Sequence, residues 1–154
     1  MLALALGCPR QQPAEDASKQ AKLSAEESGP KIAAAVQRGD YVEALALTER
    51  TALPQPQLDH AAGMLILDSV ADPQASTRPA VGVQAGIARV EAAALAGYED
   101  APTSLAALFH TGLSERGENV KLAPQPALEE CWHQVEASAR KAAECVELRR
   151  QSTP

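Results

Sequence analysis

The sequence predicts an all-α fold, a short right-handed α/α solenoid of about three helical hairpins. The first observation behind this prediction is a repeat: the pattern of apolar and small residues from Leu105 to Phe109 also occurs 43 residues earlier, from Ala62 to Ile66. A period of about 40 residues is typical of chains that stack similar supersecondary units. The second observation is composition, because 45% of the 154 residues are hydrophobic but only 3% are aromatic. Strands favour aromatic and β-branched side chains, so this composition favours helices.

The chain begins with a short apolar segment, Met1 to Leu6, followed by Gly7 and Cys8. Eight residues are too few to cross a bilayer, which takes about 20 apolar residues. The segment resembles the end of a bacterial lipoprotein signal, in which a cysteine after a small-residue site is acylated and becomes the mature N-terminus. The resemblance implies lipidation of Cys8 and a membrane-anchored periplasmic protein, with the outer membrane favoured over the inner. The alternative is a chance apolar N-terminus on a cytosolic protein.

The residues after Cys8 divide into a polar segment and one domain. Proline, glutamine, serine and mixed charges fill residues 9–29, a composition that does not pack into a core. We therefore expect a residual lipoprotein signal at 1–8, a disordered tether at 9–29 and a helical-repeat domain at 30–150. A domain of about 120 residues has room for one modest core. The net charge of −6 argues against nucleic acid as a partner, because binding phosphates requires a cluster of basic side chains.

The first expected hairpin lies between Pro30 and Pro54. We predict a short helix over residues 31–38, ended by Gly39, and a second helix over 41–53, for which Asp40 is the N-cap. Proline 54 then ends the second helix. The stretch from Gly39 to Leu45 resembles the turn and second-helix start of a tetratricopeptide repeat.

The two copies of the internal repeat form the next two expected hairpins. In register, the pairs are Ala62 with Leu105, Gly63 with Ala106, Leu65 with Leu108, Ile66 with Phe109, Gln84 with Ala127, and Arg89 with Trp132. The later copy resembles a Sel-one-like repeat, whose first helix reads Ala-x-x-x-Leu-Gly-x-x-Tyr-x-x-Gly. The matching residues are Ala101, Leu105, Phe109 and Gly112 in the first helix, with Ala106 in place of glycine, and Ala127, Trp132 and Ala137 in the second.

The resemblance covers roughly residues 57 to 140, with long irregular loops expected at 68–78 and 113–126. Small residues such as Gly63 and Ala106 should let the helices of a hairpin approach closely. The large side chains of Phe109 and Trp132 should be buried between layers. Stacked hairpins of this kind form a concave surface, which repeat proteins commonly use for binding.

The candidate binding surface is drawn from the first helices of the hairpins and the loops beside them, at positions offset from the packed residues. The set is His60 and Met64 in one layer, Thr103, Ala107 and His110 in the next, and Tyr41 at the N-terminal edge. The alternative for each residue taken singly is an ordinary solvated side chain.

The sequence carries no pattern that predicts catalysis, a cofactor or a metal. Adjacent residues point about 100° apart on a helix, so Asp59 and His60 are poorly placed to share a metal ion, and Cys131 with His133 is no better. The sequence also lacks a glycine-rich phosphate loop and the His-Glu-x-x-His motif. We therefore expect a non-enzymatic protein whose three histidines are surface or packing residues.

Acidic side chains follow one another along the C-terminal segment. We interpret them as a solvated helix face, balanced by basic residues near the chain end; the alternative is a docking site for a basic partner. The residues concerned are Glu129, Glu130, Glu136, Glu144 and Glu147, with Arg140, Lys141, Arg149 and Arg150.

Cys131 and Cys145 are the cysteines that remain if Cys8 is lipidated. On one continuous helix, 14 residues would separate them by about 21 Å, too far for a disulfide. A disulfide therefore requires a hairpin with its turn near Ser138, yet the residues after Ser138 favour helix. Both outcomes remain open at the level of the sequence.

The family resemblance implies a binding function. It indicates a non-enzymatic periplasmic protein–protein interaction module on a lipid anchor, acting as an envelope adaptor or regulator. One alternative is an immunity protein that neutralises a periplasm-targeted toxin, and another is a peptidoglycan or small-ligand binder accessory to an enzyme. A deep polar pocket would favour the ligand binder, and a shallow groove would favour protein recognition. The expected partner is thus an envelope protein or a toxin, with membrane contact through the lipid only.

Overall fold

The computed structural model describes residues 22–115, 118–138 and 140–152. Within them the chain forms seven α-helices and one two-stranded antiparallel sheet. The elements are α1 (Ala25–Gln37), α2 (Tyr41–Glu49), α3 (Gln55–Ala71), α4 (Val83–Leu95), α5 (Asp100–Thr111), β1 (Leu113–Glu115), β2 (Asn119–Leu122), α6 (Pro126–Glu136) and α7 (Ala142–Ser152). This confirms the all-α class, whereas stacking into a right-handed solenoid stays a prediction. Cys8, the predicted signal and most of the predicted tether lie outside the described residues.

Helix α1 begins earlier than the sequence analysis placed it. Ser24 is the N-cap: its hydroxyl accepts from the backbone N–H of Glu27, and the Glu27 carboxylate accepts from the N–H of Ser24 at 3.0 Å. This reciprocal capping box fixes the first turn at Ala25 and leaves Pro30 inside the helix. The predicted start of the first helix at residue 31 is therefore wrong by about one and a half turns, because a proline is typical of the first turn of a helix and Pro30 lies within this one.

The turn between α1 and α2 follows the sequence prediction, but α2 is shorter than expected. Gly39 adopts a φ of +69°, and the Asp40 carboxylate caps α2 by accepting from the N–H of Glu43. The helix ends at Glu49 and not at residue 53. Beyond its end, the N–H of Ala52 donates to the carbonyl of Leu23 at 2.8 Å. This pairing draws the chain out of helical geometry before Pro54 is reached.

The helices pack as consecutive pairs. Helix α3 packs mainly against α4, and α5 mainly against α6. Helix α6 begins 43 residues after α4, which matches the period of the sequence repeat. Burial recurs as well, because Ala62 and Ile66 are buried like their counterparts Leu105 and Phe109. Phe109 and Trp132 have no exposed surface, which confirms the prediction that both are core residues.

Glycines set the distance between α3 and α4. A Cβ atom on Gly63 would lie 2.8 Å from the carbonyl oxygen of Gly86 and 2.7 Å from Cγ2 of Val90. These separations are shorter than real Cβ contacts, so the two backbones can come this close only without side chains. The predicted close approach at Gly63 is confirmed, and Gly86 is its partner on α4.

The connection between α5 and α6 is a β-hairpin. Strands β1 and β2 pair antiparallel, with Glu115 opposite Asn119, and Lys121 forms an ion pair with Glu115 at 2.8 Å. Leu122 is buried against the core, and the N–H of Gln125 donates to the carbonyl of Phe109 at 2.8 Å. The expected irregular loop at 113–126 is therefore wrong at residues 113–115 and 119–122, which form the two strands. Three- and four-residue strands give too short an alternating pattern to be recognised from sequence.

A tight turn separates α6 from α7. Ser138 adopts a φ of 58°, and Cys131 and Cys145 form a disulfide with their Cα atoms 5.7 Å apart. Of the two outcomes that the sequence left open, the structure has the hairpin. Both cysteines are buried, and Nη1 of Arg140 lies 3.3 Å from the Cys131 sulfur, to which it donates. A crosslink closing a loop of this length stabilises a fold by about 3 kcal/mol.

Helix α7 folds back onto α4 through a buried ion pair. The Arg149 guanidinium donates to both carboxylate oxygens of Glu91, at 2.6 and 2.7 Å. The side chains of Arg149 and Glu91 are only 15% and 4% exposed. The C-terminal segment is two helices, α6 and α7, and Arg149 faces the core of the domain instead of the solvated face. Most of the acidic side chains are exposed, as the interpretation of a solvated face expected, namely Glu130, Glu136, Glu144 and Glu147.

Candidate functional site

A mostly apolar groove between α3 and α5, which we call the α3–α5 groove, holds several predicted binding residues. Its volume is about 410 Å³, and it is open to solvent along its length. Leu67 on α3 and Leu108 on α5 contribute to its walls, and Leu113 on β1 also lines it. Predicted binding residues also line it, namely Met64, Thr103 and Ala107.

Helical periodicity explains why these residues meet. Residues three or four positions apart lie on one face of a helix, so Met64 and Leu67 face the groove from α3. On α5, Thr103, Ala107 and Thr111 occupy one line, four residues apart. The same periodicity places Leu105 and Phe109 on the opposite, buried side of α5.

A second depression lies on the other side of α5, against α6. Its volume is about 310 Å³, and Thr103, Ala107 and Thr111 line it together with His110. The three small residues therefore form a ridge between two depressions. His110 thus lies beside the α3–α5 groove and not within it.

The second depression contains a cluster of histidine and glutamate side chains. Nδ1 of His110 lies 2.9 Å from Oε1 of Glu129, and Nε2 of His133 lies 3.9 Å from the same oxygen. The Glu129 side chain is 25% exposed, so it is less solvated than the sequence analysis expected. Among the residues that the structure describes, no three His, Cys, Asp or Glu side chains converge as metal ligands would.

His60 is held by neighbours on α5. Its Nε2 lies 2.9 Å from the hydroxyl oxygen of Ser104, and its ring packs 5.0 Å from the ring of Tyr98, measured between centroids. The Ser104 hydroxyl donates to the carbonyl of Asp100, which leaves Nε2–H of His60 as the donor to that oxygen. Burial lowers the pKa of His60, and the charge of Asp100 opposes this shift.

A serine next to a histidine can act as a nucleophile, but this pair lacks the supporting geometry. Ser104 lies in the middle of α5, where backbone amides donate to carbonyls four residues earlier and cannot also stabilise an oxyanion. The hydroxyl proton is directed to the Asp100 carbonyl. The pair therefore joins α3 to α5. Its 44-residue separation in sequence hid it from motif analysis.

Tyr41 does not belong to the surface on which it was predicted. Its side chain is only 4% exposed, and its hydroxyl donates to Oδ2 of Asp72 at 3.1 Å. Burial, together with this hydrogen bond, raises the pKa of Tyr41 to about 12. The prediction that Tyr41 binds a partner is therefore wrong. Its place after an N-cap at the chain edge resembled an exposed position, but α2 directs it toward the end of α3.

Asp68 lines the α3–α5 groove and was not predicted. It follows Leu67 on α3, and its side chain reaches solvent beside the apolar wall. Although Asp68 is exposed, the apolar wall beside it removes part of the water around its carboxyl, which raises the pKa of Asp68, and the charge of Asp72 raises it further. In the described part of the chain no lysine, arginine or histidine lies within ion-pair distance of Asp68. A single aspartate forms no sequence motif, so no pattern in the sequence indicates that Asp68 lines a groove.

Comparison of the chain with protein-family models, with curated proteins and with solved structures finds no match. The Sel-one-like and tetratricopeptide-like resemblance therefore stays a prediction that rests on the residue pattern. None of the helices in residues 22–115, 118–138 and 140–152 is long and apolar enough to cross a membrane.

Proposed function

We propose that the protein is a non-enzymatic interaction module of the bacterial periplasm, held at the membrane by a lipid on Cys8. In this proposal it binds a protein partner through the α3–α5 groove and acts as an envelope adaptor or regulator. No chemistry is assigned to it.

The observation that carries the proposal is the shape and lining of the α3–α5 groove. It is open and mostly apolar, and three of the predicted binding residues, Met64, Thr103 and Ala107, line it together. Small-molecule sites are usually concave and enclose most of the ligand, with a few convergent polar groups. An open apolar groove between two helices suits a protein segment better than a sugar or peptide fragment of the cell wall.

The disulfide supports the proposed location. Cys131 and Cys145 are bonded and buried, so the bond is part of the core and not an incidental surface contact. Disulfides persist in oxidising compartments such as the bacterial periplasm and are rare in the cytosol. The buried bond and the lipoprotein-like segment around Cys8 therefore support the same compartment by independent arguments.

The groove is tested by co-purification from the native envelope. Ala107→Glu places a charge on the ridge that borders the groove, at an exposed helix position, so the fold should be retained. Ala33→Glu makes the same change at an exposed position on α1 and serves as the control. We expect wild type and Ala33→Glu to retain the same partner protein and Ala107→Glu to lose most of it.

Two results would contradict the proposal. A partner that Ala107→Glu retains as well as wild type would exclude the groove as the binding surface. Catalytic turnover by the purified protein, in the absence of any partner, would exclude a purely binding function.

A further inference from the structure

We propose that the α3–α5 groove binds an amphipathic helix of the partner, whose apolar side chains enter the groove while a lysine or arginine pairs with Asp68. This inference rests on the proposed function, since it names the chemistry of the partner at the same site.

The backbone of the groove walls argues for a helical occupant. The long walls belong to α3 and α5, whose interior N–H and C=O groups are bonded to each other within each helix. An extended peptide laid along these walls would find few backbone partners there, and its own amides would lose water without compensation. A helix satisfies its backbone internally and presents only side chains to the groove.

The side chains of α5 favour the same occupant. Thr103, Ala107 and Thr111 form a ridge of small residues with a spacing of four. Ridges with this spacing fit the grooves between side chains of a second helix, and small residues allow the two axes to approach closely. The depressions on both sides of the ridge can then receive larger apolar side chains of the partner. Met64 and Leu108 would contact those side chains on one side.

Asp68 determines the charge that the partner must carry. It is the one ionisable residue among those lining the groove in the described part of the chain, and it has no ion-pair partner there. A partner that covered the groove with apolar groups alone would bury an unpaired carboxylate, which is costly. A cation on the edge of the bound helix offsets this cost and forms a charge-assisted hydrogen bond. Asp72, close enough to raise the pKa of Asp68, adds negative potential at the same end.

The inference can be tested with synthetic peptides and fluorescence anisotropy. The protein is the full chain with Cys8→Ser, so that it is produced without lipid. One probe is a labelled amphipathic peptide of about 18 residues, five helical turns, with leucines on one face and lysines on the other. A second probe carries glutamates in place of the lysines, and a third has the lysine peptide's composition in scrambled order.

Asp68→Asn is the informative variant, and Asp59→Asn is its control. Asp59 is nine positions earlier on α3, which places it on the opposite side of the helix, and both variants change the net charge equally. We expect the lysine peptide to bind more tightly than the other two. Asp68→Asn should weaken its binding by about tenfold, a change of about 1.4 kcal/mol, while Asp59→Asn should bind like the unsubstituted protein.

Each contrary outcome can be separated from failure of the proposed function. Equal binding of the glutamate peptide, or no effect of Asp68→Asn, would overturn the basic partner. Equal binding of the scrambled peptide, or no binding by any probe, would overturn the amphipathic helix. The Ala107→Glu co-purification does not depend on these peptides, so a partner lost there would still support the groove itself.

Discussion

At the residue scale, the core depends on two aromatic side chains in a chain that has few. Trp132 and Phe109 are the largest fully buried side chains. Alanine side chains supply little core volume. The rings of Trp132 and Phe109 therefore fill space that the small neighbouring side chains cannot fill. The sequence predicted both positions because they fall at motif positions of a helical repeat.

Replacing Phe109 should therefore leave a cavity. We expect Phe109→Ala to lower the free energy of unfolding by roughly 3–5 kcal/mol, measured by urea denaturation followed by circular dichroism. Leu95→Ala is the control, because Leu95 is 53% exposed and its truncation should change stability by less than about 0.5 kcal/mol. Equal small effects of both substitutions would show that Phe109 is not a core residue.

At the element scale, helix pairing depends on how closely backbones can approach. Where α3 crosses α4, Gly63 lies against Gly86. A Cβ atom added to Gly63 would lie 2.8 Å from the carbonyl oxygen of Gly86. A backbone carbonyl cannot rotate away as a side chain can, so an added methyl group must separate the two helices. Gly63 and Gly86 therefore fix the position of α3 against α4, and α3 forms one wall of the groove.

We expect Gly63→Ala to destabilise the protein by about 1–3 kcal/mol, as overpacking of a core does. Gly29→Ala is a matched control, because Gly29 lies in α1 with nothing within 4 Å of an added Cβ. Gly29 precedes Pro30, whose ring disfavours helical geometry at a preceding residue that carries a Cβ, and this offsets the usual gain when alanine replaces glycine inside a helix. We therefore expect thermal unfolding to fall clearly for Gly63→Ala and to change little for Gly29→Ala, and a stabilising Gly63→Ala would contradict the close approach.

At the scale of the whole molecule, the C-terminal helix closes the domain. The disulfide joins α7 to α6, and the Arg149–Glu91 ion pair joins α7 to α4. These two links lie on different neighbours, so together they fix both the position and the direction of α7. The groove is on another surface, formed by α3 and α5, and is left open to a partner.

Membrane attachment is the whole-molecule prediction that follows from the proposed function. In the native host we expect wild-type protein in the membrane fraction and labelled by a palmitate analogue, because acylation needs the Cys8 sulfur. Cys8→Ser should be released, or remain as unprocessed precursor, without label. Cys145→Ser removes a sulfur elsewhere and should still be labelled. Soluble, unlabelled wild-type protein would exclude the lipid anchor.

The sequence by itself determined the helical class, the 43-residue period and the burial of Phe109 and Trp132. It also indicated the turn at Gly39 and the grouping of Met64, Thr103 and Ala107 on one surface. These features follow from local rules, because helical spacing assigns each residue to a face whatever the helix packs against. The start of α1 is also local, since Ser24 and Glu27 form a recognisable capping box, whereas Pro30 indicates a later start.

Only the tertiary structure decided the remaining features. It placed Tyr41 in the interior, joined His60 to Ser104, paired Glu91 with Arg149 and left Asp68 without a cation among the described residues. The two pairs join residues 44 and 58 positions apart in the chain. Such contacts depend on how far and at what angle one helix lies from another. That geometry is set by the packing of all the helices together, and the spacing of residues along any one helix does not determine it.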